Sequence, residues 1–156
     1  MTMNYWLMKT EPDEFSIDDL AKRKTEPWGG VRNYQARNYM REMQRGDGVL
    51  FYHSSCDVPG VVGIAEVSKT AHDDPTQFDK KSDYYDPKSK PESPRWSMVE
   101  VKYKRKLKRN ITLTELKTKR ELHDLILLRP GNRLSVLPVS KKDWDFILQL
   151  ESVSSE

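Results

Sequence analysis

The sequence predicts an α+β fold, a small and mostly antiparallel β-barrel or curled sheet with short helices around it. Three observations carry this. Short apolar stretches alternate with turn signals at residues 5–9, 49–53, 61–68, 98–107 and 134–139. Residues 98–107 show period two, with Val99, Val101, Tyr103 and Leu107 on one face and Glu100, Lys102, Lys104 and Lys106 on the other. No strand is followed by a glycine-rich turn and a long helix, so a doubly wound parallel sheet is disfavoured.

The elements follow in order. Residues 5–9 (YWLMK) read as a first strand, and Pro12 keeps Glu11 out of a helix. Ser16 with Asp19 resembles a capping box, opening a helix to about residue 22. Residues 24–30, with Pro27, Gly29 and Gly30, read as a loop. Asn33 is a good N-cap for a helix over 34–44, which Gly46-Asp47-Gly48 ends. Strands follow at 49–53 and 61–68, joined by a turn at 57–60.

Residues 73–94 are polar and hold four Pro, yet also Phe78, Tyr84 and Tyr85. A structureless loop of that length is uncommon in a compact domain, so this segment reads as a lid or rim. Thr112 and Glu115 open a short helix. Residues 122–128 fit helix or strand equally. Pro130-Gly131-Asn132 is a turn, and Pro138 places the strand over 134–139 at a sheet edge. Ser140 and Asp143 start a last helix bearing Trp144, Ile147 and Leu148, and residues 152–156 read as frayed.

A length of 156 residues predicts one domain over 1–156, with its core over about 4–150. There are 27 Lys+Arg against 24 Asp+Glu, a net charge of +3, which permits an anionic partner without demanding one. Cys56 stands alone, which excludes a disulfide framework and any Cys₂His₂ zinc site. No apolar run approaches the roughly 18 residues of a membrane span, and residues 1–4 lack signal-peptide features. The expectation is a soluble cytoplasmic protein, or a nuclear one in a eukaryote, with no membrane contact and no cofactor.

His53, His72 and His123 lie far apart with no HxxxH or HExxH spacing, so no metal site is expected. Cys56 follows His53 by three residues, a conceivable thiolate–imidazole pair, although a lone Cys at a strand end serves as well as a small buried hydrophobe. The interleaving of aromatic and polar residues says more. Trp28 sits beside two glycines and shortly before Arg32 and Asn33. A loop residue with so large an apolar face needs something flat to cover it. Stacking on aromatic faces with hydrogen bonds to the base edge is how an extruded nucleobase is recognised. Arg32, Arg37, Lys102 and Lys104 are candidates for flanking phosphates. The plainer alternative puts Trp6, Trp96 and Trp144 in the core and the cations in water.

Five blocks in order resemble the EVE domain family: residues 5–20, 28–41, 46–54, 84–96 and 132–140. The resemblance spans about 4–150. It implies a PUA-like barrel, in a superfamily that includes readers of methylated adenine. It implies a base pocket walled by Trp6, Lys9, Trp28, Gly30, Val31, Asn33, Tyr52, His53, Ser54, Trp96, Arg133, Leu134, Ser135 and Val136. Gly29 departs from the acidic residue common there in the family. Asn33 has two possible roles, helix cap or base-edge reader. The expected function is a non-catalytic module that binds DNA or RNA and reads a modified base: methylated or hydroxymethylated cytosine, or methylated adenine. Two other readings stay open, an enzyme acting on a nucleotide or base through His53 and Cys56, and a protein-interaction adaptor.

Overall fold

The computed structural model describes residues 3–153. The reading of a frayed end therefore falls outside the described residues over 154–156. Six strands form one sheet: β1 (Tyr5–Thr10), β2 (Thr25–Trp28), β3 (Gly48–His53), β4 (Gly60–Asp73), β5 (Ser97–Thr112) and β6 (Val136–Val139). Four helices accompany them: α1 (Ile17–Arg23), α2 (Tyr34–Glu42), α3 (Leu113–Lys117) and α4 (Lys141–Leu150). The strand order is β2-β5-β4-β3-β1-β6, and only β1 and β3 run parallel.

The barrel expectation is corrected here: the sheet is strongly curled but open. Three strand spacings of about 4.8 Å would put β2 roughly 14 Å from β3 in a flat sheet. Yet the Trp28 and Phe51 ring centroids lie 5.7 Å apart, edge to face. Register shifts along β4 and β5 supply the bending. Closure fails because the two edges, β2 and β6, are four residues each and carry Pro27 and Pro138, which cannot donate to a further ladder. Alternation explains why the sheet is a middle layer. Trp6, Met8, Val49 and Phe51 face a core completed by Ile17 and Leu20 of α1 and Ala36 and Met40 of α2. Leu7, Leu50 and Tyr52 face the other way, onto Leu116, Leu122, Leu125, Trp144 and Ile147. Strands buried on both faces read as continuous apolar runs, as β1 and β3 do.

The helices begin at the expected caps. Ser16 Oγ accepts from Asp19 N (3.1 Å) while Ser16 N donates to Asp19 Oδ2 (2.9 Å), a reciprocal box. Asn33, Thr112 and Ser140 cap α2, α3 and α4. Residues 24–30, read as loop, contain β2, and the ambiguous stretch 122–128 holds parts of two 3₁₀ turns, Arg120–Leu122 and Ile126–Leu128.

Asp47 ties the start of β1 to the start of β3. Its carboxylate, almost fully buried, accepts from Trp6 Nε1 (2.9 Å), Gln44 N (2.9 Å) and Asn4 N (3.2 Å). Trp6 is thus held in the core by both ring and N–H. Replacing Asp47 with Ala leaves that buried indole N–H without an acceptor. The expected cost is about 3 kcal/mol of unfolding free energy, measured by urea denaturation of Asp47→Ala against the parent.

Candidate functional site

The parallel pairing of β1 and β3 brings their C-terminal ends together, and antiparallel β6 starts beside them. Lys9 N donates to Ser135 O (2.8 Å) and Ser54 N to Thr10 O (2.9 Å), which joins the three segments. The curl of the sheet brings β2 and its following loop over the same place. Between them lies an open cavity of about 560 Å³, within the range of about 300–1,000 Å³ common for small-molecule sites. Its walls include Trp28 and Phe15, its polar lining Thr10, Ser54, Ser55 and Ser135, and its charged groups Lys9, Glu11, Glu14, Glu26, Arg32 and Arg133. Tyr84, from the long polar segment, stands at the rim, 45% exposed.

That segment is ordered by two buried side chains. Gln77 Nε2 donates to the carbonyls of Asp74 (2.7 Å) and Trp96 (2.8 Å), while its Oε1 accepts from Ser89 Oγ and Trp96 N. Asp74, fully buried, accepts from Gly30 N (2.7 Å), Arg32 Nη1 (3.1 Å), Thr76 N (2.9 Å) and Thr76 Oγ1 (2.6 Å). Burial alone raises its pKa. The bonds from Thr76, Gly30 and Arg32 outweigh burial and hold it below the usual carboxylate range. Arg32 also donates to Tyr84 O from Nε and Nη2, and its guanidinium lies over the Tyr84 and Trp96 rings. Gly30 has φ 80°, and a Cβ there would sit 2.8 Å from Tyr84 Cζ, so only glycine lets the ring settle on this backbone. A Cβ at Gly29 would lie 3.3 Å from Asp74 Oδ2, so a buried carboxylate already stands beside that position.

Two cavity groups have shifted acidities. Burial lowers the pKa of Lys9, whose Nζ lies 5.8 Å from the Tyr52 ring centroid. Burial raises the pKa of Glu26, and Arg23, 3.1 Å from its Oε1, offsets only part of this.

Of the residues proposed from sequence for a base pocket, the structure gathers Lys9, Trp28, Gly30, Val31, Ser54, Arg133 and Ser135 around the cavity. Seven others lie off it. Trp6 bonds Asp47, and Val136 is buried core on the same face of the sheet. Tyr52 packs on the opposite face, where burial, then Cys56, push its hydroxyl up to about 12. His53 Nε2 accepts from Ile17 N (3.1 Å) at the start of α1, and burial lowers its pKa. Trp96 stacks on Tyr34 (4.9 Å between centroids) and donates to Asp86. Asn33 caps α2 through Ala36 N (2.9 Å). Asn33 and Leu134 line a second cavity of about 390 Å³, which shares Arg133 and adds Arg129.

The proposed phosphate ligands are differently placed. Arg32 lines the cavity but is held by Asp74 and Tyr84, and Arg37 Nη1 donates to Arg95 O (2.8 Å). Lys102 and Lys104 both pair with Glu66. Among the described residues, no three His, Cys, Asp or Glu side chains are grouped as metal ligands, and no helix is long and apolar enough to cross a membrane. Phe15 and Glu26 are lining residues that the sequence reading does not name, and Tyr84 comes from the segment read as a lid or rim. The alternation of Glu26 and Trp28 was a usable signal, but it was hidden by reading β2 as loop.

A profile of the EVE domain family matches residues 4–150. The chain belongs to the EVE domain family. It is 46% identical to mouse thymocyte nuclear protein 1, over 95% of this chain and 74% of that protein. A hypothetical protein from Leishmania major is 53% identical with a TM-score of 0.91, covering 96% of this chain and 95% of that one. Human THYN1, whose structure is of a complex with 5-methylcytosine-containing DNA, is 41% identical with a TM-score of 0.91, covering 97% and 99%. This EVE chain thus shares its fold, PUA-like as the resemblance implied, with a DNA-bound relative.

Two outcomes follow for the rim of this EVE domain. Asp74→Ala strands the Gly30 N–H and removes the carboxylate partner of Arg32, with an expected loss of about 3 kcal/mol in chemical denaturation. Because the folded-state pKa of Asp74 is depressed, its stabilisation is full above the ordinary Asp value of about 4 and is lost as pH falls through the folded value. Acid unfolding of Asp74→Asn is expected to show a shallower pH dependence in that window than the parent, followed by circular dichroism.

Proposed function

We propose that this chain is a non-catalytic module that takes a modified cytosine of DNA, flipped out of the helix, into the cavity beside Trp28. The observation that carries this is the cavity itself: an open space bounded by indole and phenol rings and lined with hydroxyls, with Lys9 and Arg133 at its wall. The 5-methylcytosine DNA complex of a 41% identical relative supports the same ligand class. Trp28 is 8% exposed, so it offers the base a limited face. Tyr84 supplies the second aromatic surface and closes the rim. Ser54, Ser135 and nearby backbone meet the base edge. Arg133, which makes no ion pair among the described residues, and Arg129 in the adjoining cavity take the flanking phosphates. His53 supports binding rather than catalysis, because its Nε2 is already committed to the backbone of α1.

The test is a binding panel of DNA and RNA oligonucleotides carrying methylated and hydroxymethylated cytosine and methylated adenine. Selective binding to modified-cytosine DNA is expected, and it weakens as salt rises. Tyr84→Ala keeps the core intact and is expected to weaken binding about tenfold, from the 1–3 kcal/mol that a stacked base contributes. Arg133→Ala is expected to weaken binding to all sequences alike and to reduce the salt slope by about one. A panel with no preference for any modified oligonucleotide overturns the reading.

A further inference from the structure

A cavity that accepts 5-methylcytosine faces a competitor present throughout DNA. Thymine has the same ring and the same 5-methyl group, so stacking and methyl burial treat the two alike. The difference lies on the Watson–Crick edge. Position 4 carries an amino donor in 5-methylcytosine and a carbonyl acceptor in thymine. A fixed acceptor facing position 4 therefore rejects thymine.

Hydroxyls are not such acceptors. Thr10, Ser54, Ser55 and Ser135 rotate to donate or accept as required. The acceptor-only side chains of the lining are Glu11, Glu14 and Glu26. Glu11 and Glu14 are exposed in the turn after β1 and are free to point into water. Glu26 is different. It lies two residues before Trp28 on β2, so both side chains project from the same face of the strand. Its side chain is only 19% exposed. Oε1 is buried without a hydrogen-bond partner and forms an ion pair with Arg23 at 3.1 Å. Oε2 makes no hydrogen bond among the described residues.

We infer that Glu26 is the specificity-determining residue of the cavity, accepting a hydrogen bond from the 4-amino group of cytosine and rejecting thymine. This rests on the base-binding reading above. With thymine bound, the carboxylate meets the O4 carbonyl, two acceptors face each other, and Oε2 is desolvated with no donor. Arg23 pairs with Oε1, which leaves Oε2 as the acceptor.

The experiment is a competition between oligonucleotides with 5-methylcytosine or thymine opposite an abasic site, so that neither base is held by a pair. Binding is read by anisotropy for the parent, Glu26→Gln and Glu26→Ala, with thermal melts confirming that both variants fold. The parent is expected to favour 5-methylcytosine at least about tenfold, the discrimination of one good edge contact. In Glu26→Gln the ratio is expected to fall towards one, because an amide presents either a donor or an acceptor; Glu26→Ala is expected to behave likewise. A ratio retained in both variants, or a parent ratio of one, overturns the inference while leaving the base-binding reading in place. A parent that binds neither oligonucleotide overturns that reading, and this inference with it.

Discussion

The buried carboxylate of Asp74 is the constraint on which the site depends. Placing an ionised carboxylate out of water costs several kcal/mol unless its lone pairs are filled. Here Gly30, Arg32 and Thr76 fill them. Two of these residues lie more than forty positions away in sequence, so satisfying one charge also fixes the loop after β2 against the long polar segment. Arg32 is then held in the plane that lets it cover the Tyr84 and Trp96 rings. Tyr84 comes to rest on Gly30, and the rim of the cavity is set. A segment that composition marks as polar and proline-rich is ordered from inside, by Asp74 and Gln77, rather than by an apolar face of its own.

The same economy governs the cations. Many basic residues are committed within the fold: Arg37 and Arg41 to the Arg95 carbonyl, Lys102 and Lys104 to Glu66, Lys106 to Asp18, Arg109 to Glu115. The three lysines of the β5 stripe are therefore engaged by two carboxylates, Glu66 and Asp18. Lys9 and Arg133 remain at the cavity, one half-buried and one exposed. Under the proposed base-binding function, selectivity comes from the shape and donor pattern of one pocket. Long-range attraction to a polyanion contributes less than the count of Lys and Arg suggests.

Much of the architecture was legible. Continuous apolar runs marked β1 and β3, period two marked β5, and Ser16, Asn33, Thr112 and Ser140 marked four helix starts. Pro138 marked β6 as an edge. Other features were not. Thr25–Trp28 forms a strand only because β5 offers a partner, and four residues with a proline carry no strand signal of their own. Period two is the same in an open, curled sheet as in a closed barrel, so closure was not legible either. The aromatic residues were legible as a set, but their sorting into core and cavity was not. Trp6 went to Asp47, Trp96 to Asp86, and Trp28 to the cavity wall.

The sequence by itself determined the local geometry and the family: caps, turns, strand period, and a pattern of blocks spread over nearly the whole chain. These depend on neighbours a few residues apart, whose spacing the chain fixes directly. Only the tertiary structure decided which polar groups are used up and which are left free. Hydrogen bonds at Asp74, Asp47 and Gln77 depend on which distant segment arrives within about 3 Å. That distance is a property of the folded sheet and its curl, and no local pattern of residues encodes it.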